Sequence, residues 1–316
     1  MIGNDVRGWI WLVVSAFIAL GAFTLVGDLG HLGDQLEDFR WPAFGAALTL
    51  ALSNYALRFV RWQLYLRRQD VRVPPTSSLV VFMAGLSLSI TPAKLGELLK
   101  SYLLRQMHDV PAPRTAPVVV AERVSDLIAL LVLAMIGVAA FGVDPTFVIA
   151  AGILIAFGLL LLAWQRPTRA MIDLATRPTR TRRLREPLHE TLRGLGALCR
   201  PVPLLLSTAI AVPAWGCECL GFKLICDAFP GAYISLGLAT MIYSATTIAG
   251  ALSFLPGGLG VTEGAMTVAL VRGHLSKSAA VAATLLTRLA TLWFAVLLGV
   301  VFLAIARRRI ARRPTN

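Results

Sequence analysis

Two stretches decide how this chain folds: Leu88-Ser89-Ile90-Thr91-Pro92-Ala93-Lys94-Leu95-Gly96-Glu97, and Leu252-Ser253-Phe254-Leu255-Pro256-Gly257-Gly258-Leu259-Gly260, with Glu263 close behind. In each, an apolar approach runs into proline, which has no N–H and clashes with the preceding helical turn, so a helix stops there. Ser77–Thr91 is too short to cross a bilayer before Pro92, and the segment after it carries Lys94, Glu97, Lys100 and Arg105. Ile234–Leu255 is apolar, but only the short Glu263–Arg272 follows the glycines. A membrane crossing takes about 20 apolar residues, so the second arm of each stretch is too short or too polar to cross alone. Both read as re-entrant hairpins, two short helices meeting inside the membrane with their irregular backbone buried in protein.

Working outward, the 316 residues are 57% hydrophobic and 15% charged. Soluble domains carry about a quarter charged residues, so this composition excludes a soluble globular protein. Spans are expected at Trp9–Gly27, Trp41–Val60, Ala116–Phe141, Thr146–Trp164, Pro201–Ile225 and Ala279–Ala306. The first lacks a convincing small-residue cleavage site and reads as an uncleaved span rather than a signal peptide. The net charge of +13 collects at span ends: Arg58, Arg61, Arg67, Arg68 and Arg72; the Arg-rich loop 166–200; and Arg307, Arg308, Arg309, Arg312 and Arg313. That is the positive-inside pattern and not a nucleic-acid patch. Six spans with both hairpins returning to the side they enter put all three Arg clusters and both termini in the cytoplasm. The acidic segment with Asp28, Asp34, Glu37 and Asp38, and the Asp144-Pro145 turn, then lie outside.

The two halves share an order. Arg123 follows Pro92 at nearly the same distance as Arg288 follows Pro256, each near the start of the next long span. Each half reads span, span, hairpin, span. An odd number of crossings per half makes the halves oppositely oriented, the inverted repeat of many transporters. The fold expected is therefore an all-α integral membrane protein, six spanning helices plus two re-entrant helical hairpins. Residues 1–316 form a single transmembrane domain, with a first repeat at 9–142, a second at 146–306 and a basic cytoplasmic tail at 307–316.

An ionisable side chain at mid-membrane costs roughly 2.5–3.5 kcal/mol on insertion scales, so it persists where it is paired or useful. The candidates are Lys94, Glu97 and Lys100 on the first hairpin, then Glu122, Arg123 and Asp126, then Glu263 and Arg288. Glu122 and Asp126 share one helix face. An interfacial position, with the long side chain snorkelling, is the alternative for Lys94, Lys100 and Asp126. Pro92 and Pro256 suit first helical turns, with Thr91 as an expected N-cap, and a helix start inside the membrane offers free N–H groups to an anion. Gly257, Gly258 and Gly260 let a ligand or another backbone come close, or simply make a tight turn.

Other signals carry less. Glu218, with Lys223 five residues on, is an intramembrane polar spot that suits a structural ion pair as well as transport. Cys199, Cys217, Cys219 and Cys226 lack zinc spacing and read as packing residues. Trp9, Trp11, Trp41 and Trp62 read as interface anchors, and the loop 166–200 as a cytoplasmic connector that touches anionic lipid. There is no nucleophile elbow, metal-ligand cluster or nucleotide motif, and His31, His108, His189 and His274 fall in loops or near span ends.

Pro92-x-x-x-Gly96-Glu97, Glu122-Arg123-x-x-Asp126, Leu255-Pro256-Gly257-Gly258-Leu259-Gly260-Val261-x-Glu263 and Thr287-Arg288 together resemble the flippase-like transmembrane region of lysylphosphatidylglycerol synthases, over about residues 10–306. The resemblance implies an inner-membrane protein that moves a lipid between leaflets, with the matched residues, Gly96 among them, lining the headgroup path. Relatives are linked to aminoacylated phosphatidylglycerol, hopanoid-associated lipids or polyprenyl-linked sugars. The bifunctional synthases carry a soluble aminoacyl-transfer domain after the membrane part. This chain ends soon after Ala306, so no synthase activity of its own is expected.

The expectation is a multi-pass plasma (inner) membrane flippase for a phospholipid or polyprenyl-phosphate-linked lipid. The headgroup sits between the hairpin tips near Arg123 and Arg288, with Glu97, Glu122 and Glu263 as counterions or proton carriers. No cofactor, metal or nucleic acid is expected; a homo-oligomer and a separate lipid-synthesising enzyme are conceivable partners. Two alternatives stay open: a membrane-embedded lipid-modifying enzyme using Glu122 and Asp126 as acid and base, and a proton-coupled transporter of a small anion.

Overall fold

The computed structural model describes residues 36–91, 96–141, 146–163, 165–178 and 181–312. The expected span Trp9–Gly27, the anchors Trp9 and Trp11, and the expected site residues Pro92 and Lys94 lie outside these. The described residues are helical, with no strand among them.

Helix α1 (Trp41–Arg68) begins with a proline in its first turn and ends on Arg67 and Arg68. The proline has no N–H to leave unpaired, and the arginines complement the negative end of the helix dipole. α2 (Pro75–Gly85) tightens into a 3₁₀ turn at Leu86–Leu88, and after a second tight turn at 96–98 the chain enters α3 (Leu99–His108). Next come α4 (Ala112–Phe141), α5 (Thr146–Ala163), α6 (Gln165–Ala175), α7 (Arg185–Leu198) and α8 (Pro201–Cys226). α9 (Leu236–Leu252) breaks at the 3₁₀ turn Pro256–Gly258 before α10 (Val261–Arg272). α11 (Lys277–Arg288) and α12 (Phe294–Ala311) are joined without a loop by a π-helical turn at Leu289–Trp293.

By length and composition, α1, α4, α8 and the continuous α11–α12 are apolar enough to cross a membrane; Pro75–Leu88 and Leu236–Leu252 are shorter apolar helices. α8 packs along α1, α9 along α4, and α12 along α2 and its 3₁₀ turn. Two hydrophobic cores result. One gathers α4, α8, α9 and α11 around Trp215, Phe222 and Ile242. The other gathers α1 to α4 and α12 around Trp62, Tyr65 and Phe82. The two chain breaks meet between the cores, where Ile90, Trp293 and Leu259 form a small apolar cluster.

Close backbone approach holds this arrangement. A Cβ on Gly299 of α12 would fall on the backbone N of Ser87, so only glycine lets α12 sit against the first break. Small residues at such crossings are how helices pack where lipid removes the hydrophobic drive between them.

Three expectations change. Residues 166–200 are largely helical, and α7 packs on α4 rather than serving as a plain connector. Trp62 is fully buried and donates to Ser78 Oγ at 3.1 Å, so it is not an interface anchor, whereas Trp41 is exposed. Lys223 pairs with Asp227, while Glu218 accepts from the Tyr243 hydroxyl.

Candidate functional site

The first break is shaped by Thr91. Its hydroxyl donates to the Leu88 carbonyl at 2.7 Å and accepts from the Gly96 N–H at 2.7 Å, a closure longer than the N-cap expected of it. A side chain at Gly96 would lie 2.5 Å from Leu88 Cβ, so this closure needs glycine. It delivers Glu97, which is fully buried, to three cations. Lys100 Nζ lies 3.1 Å, Arg123 Nη2 3.3 Å and Arg58 Nη2 3.6 Å from its carboxylate.

From Glu97 the network runs into α4. Lys100 Nζ also meets Glu122 at 2.6 Å and lies 4.7 Å from the Trp62 ring centroid, so two carboxylates and an aromatic face surround one ammonium. Asp126, one turn on, takes Arg61 Nη1 at 2.7 Å, Arg123 Nη2 at 3.1 Å and Trp215 Nε1 at 3.0 Å. Glu122, Asp126, Lys100, Arg58 and Arg61 are all buried. Removing one member of such a network leaves an uncompensated buried charge, which costs about 3–5 kcal/mol.

The second break repeats the central pair. Glu263, in the first turn of α10, accepts from the Gly260 N–H at 2.8 Å and from Arg288 Nε at 2.7 Å. Arg288 Nη2 donates to the Gly257 carbonyl at 2.6 Å. The expected free helix start is therefore partly capped by Glu263. Gly257, Gly258 and Gly260 have φ of 61°, 67° and 83°, a backbone region open to glycine at little cost. Pro256 opens this 3₁₀ turn.

A cavity of about 290 Å³ lies between the two breaks, lined by Arg58, Arg123, Asp126, Glu218, Tyr243, Gly257, Gly258 and Arg288. The wall continues over Leu252, Phe254 and Leu255, and the last two are exposed. A second hollow of about 460 Å³, at Arg68, Leu198 and Arg200, has no carboxylate in its lining.

Of the residues expected from the sequence, Arg123, Asp126, Gly257, Gly258 and Arg288 thus come together on one cavity. Glu97 and Glu263 stand behind the arginines, Lys100 and Glu122 pair behind Glu97, and Gly96, Pro256 and Gly260 shape the turns. Sequence reading misassigned Arg58 and Arg61, which it counted among orientation charges. Their signal was present: Asn54, Tyr55, Arg58, Arg61, Trp62 and Tyr65 recur at helical spacing and form one buried face of α1.

The Lysylphosphatidylglycerol synthase TM region profile matches residues 9–299. A UPF0104 membrane protein of Methanothermobacter thermautotrophicus is 27% identical over 92% of this chain and 93% of its own length. Another, from Methanocaldococcus jannaschii, is 28% identical over 72% of this chain and 97% of its own length. The span of the match, carrying both broken segments and their Glu–Arg pairs, means that the chain belongs to the lysylphosphatidylglycerol synthase transmembrane-region family.

Proposed function

We propose that this membrane protein moves an anionic, phosphate-bearing lipid between leaflets, acting as a transporter and not as a lipid-modifying enzyme. The observation that carries the reading is the cavity between the two broken segments, where the glutamate of each segment, Glu97 or Glu263, pairs with an arginine brought in by the helix that follows, Arg123 on α4 or Arg288 on α11. Arginine forks bind phosphate oxygens in two-point contacts. The glutamates neutralise the arginines when the cavity is empty, so the cost of keeping the charges buried stays low.

The exposed Phe254 and Leu255 at the cavity's edge suit acyl chains that remain in lipid while the headgroup enters. In this reading the two halves form an inverted repeat around the cavity, and rocking one against the other exposes it alternately. The like placement of Glu97–Arg123 and Glu263–Arg288 supports the repeat. The Arg-rich segments favour an inner-membrane orientation with both termini cytoplasmic.

The test is leaflet transfer of fluorescent phosphatidylglycerol in proteoliposomes. Arg123→Ala and Arg288→Ala are each expected to slow transfer by at least about tenfold, the scale of one lost charge-assisted hydrogen bond. Wild-type rates in both variants at equal reconstitution would sink the proposal. A chemically altered lipid recovered from the vesicles would instead favour the enzyme.

A further inference from the structure

Arg58 stands apart from the other cations of the network. It is 4% exposed and lines the cavity, yet its Nε and Nη2 have no hydrogen-bond partner, and its carboxylate contact, to Glu97, is a loose 3.6 Å. Arg61, one turn further on, also keeps unpartnered nitrogens, but it grips Asp126 at 2.7 Å and is not part of the cavity wall. Lys100 is held at 2.6 Å by Glu122, and Arg288 at 2.7 Å by Glu263. A buried guanidinium with vacant donors is costly, and the cost falls when an oxyanion fills them.

Among the carboxylates around the cavity, Glu97 alone reaches Arg58, and only at 3.6 Å, beyond hydrogen-bond distance. Glu97 is shared with Lys100 and Arg123, Asp126 is engaged by Arg61, Arg123 and Trp215, and Glu218 accepts from Tyr243. Tyr55, one turn earlier on α1, donates to the Thr291 carbonyl at 2.9 Å. That contact ties α1 to the π-helical turn beside Arg288 and fixes the helix that carries Arg58. π turns inside helices recur at functional sites because they re-aim neighbouring side chains.

We propose that Arg58 is the primary phosphate ligand of the cavity: a phosphate oxygen takes over its Nε–Nη2 edge, buried and without a hydrogen bond when the cavity is empty, from the loose Glu97 contact, with Arg123 and Arg288 closing from α4 and α11. This rests on the cavity being a headgroup site and adds the residue on which the phosphate first lands. The ligand chemistry is a phosphate oxyanion, from a lipid phosphodiester or from free phosphate.

The experiment is equilibrium binding to the purified full chain in a phosphate-free detergent, with dihexanoyl phosphatidylglycerol, dihexanoylglycerol and inorganic phosphate as probes. Wild-type protein is expected to bind the phosphatidylglycerol and not the phosphate-free dihexanoylglycerol. Arg58→Gln should weaken binding by at least about tenfold, as expected for a lost hydrogen bond to a charged group. Arg58→Lys, which keeps the charge but not the fork, should fall between them, and it decides the matter if Arg58→Gln does not fold. Competition by inorganic phosphate identifies a free-phosphate site, and its absence a lipid site; either supports the assignment when Arg58→Gln abolishes it. Unchanged affinity in both variants, or no phosphate-dependent binding by wild type, overturns it. Binding that depends on Arg58 without leaflet transfer would overturn the transport proposal and leave this one standing.

Discussion

At the scale of single residues, the fold depends on how few buried charges go without a counterion. Lys100 is the clearest case, because one ammonium serves both Glu97 and Glu122. Lys100→Met is expected to destabilise the protein by about 3–5 kcal/mol, since it leaves two carboxylates competing for the remaining cations. Thermal unfolding in detergent checks this. Adding Glu122→Gln to Lys100→Met should recover part of the loss, because it removes one of the two stranded charges. That Glu97, Glu122 and Glu263 lie in the interior was legible from the chain, since charges inside apolar runs are conspicuous. Which residue pairs with which was not. Arg58 and Arg61 sit near the end of a span, where an orientation charge is the ordinary reading, and only α4 and the first break bring Glu97 and Asp126 to them.

At the scale of elements, the second break is a point of backbone strain relieved by glycine. A Cβ on Gly258 would lie 3.0 Å from Gly250 Cα, and φ there is +67°. Gly258→Ala should therefore cost about 1–2 kcal/mol from the left-handed backbone alone, with close packing adding to it. A lowered melting temperature and slowed leaflet transfer are the outcomes to look for. The sequence announced this turn, because Pro256-Gly257-Gly258 leaves few other conformations. It did not announce that Gly257 meets Ile90 of the other break, with a Cβ position 3.2 Å from Ile90 Cγ1, because that contact depends on both cores.

The helices within 165–198 form a second element with a defined link. Asp173 of α6 meets His189 at 3.0 Å and Arg185 at 2.8 Å, both on α7. These two hydrogen bonds, His189 first, hold the Asp173 carboxyl below the usual aspartate range. With the folded pKa lowered, the link is present at neutral pH and is lost as pH falls through that lowered value. Asp173→Asn mimics the protonated state. At neutral pH it should speed hydrogen exchange in α6 while α7, packed on α4, stays protected. The proline and arginine content of this segment suggested a connector, and the helices were missed because tertiary packing overrides weak local propensity.

At the scale of the whole molecule, the proposed orientation rests on the arginines that flank the apolar helices. The proposed topology puts the Arg-rich α6–α7 segment and the C-terminal arginines on the same, cytoplasmic side. Single cysteines at Arg183 and Arg312, in a background with the four free cysteines Cys199, Cys217, Cys219 and Cys226 replaced, should be shielded from an impermeant maleimide in intact cells. Both should react once the membrane is opened. Labelling of either one in intact cells would break the topology and the inverted repeat built on it.

The sequence by itself determined that this chain is helical and apolar, that two of its segments break at Pro and Gly, and that Glu and Arg recur around those breaks. Hydropathy and backbone restriction are local properties, set by residues a few positions apart. Only the tertiary structure decided that the breaks meet over one cavity, that Glu97 is shared by three cations, and that Arg58 lines the cavity with two buried nitrogens lacking hydrogen bonds. Those outcomes depend on helices distant in sequence packing side by side, where the cost of burying a charge selects its partner.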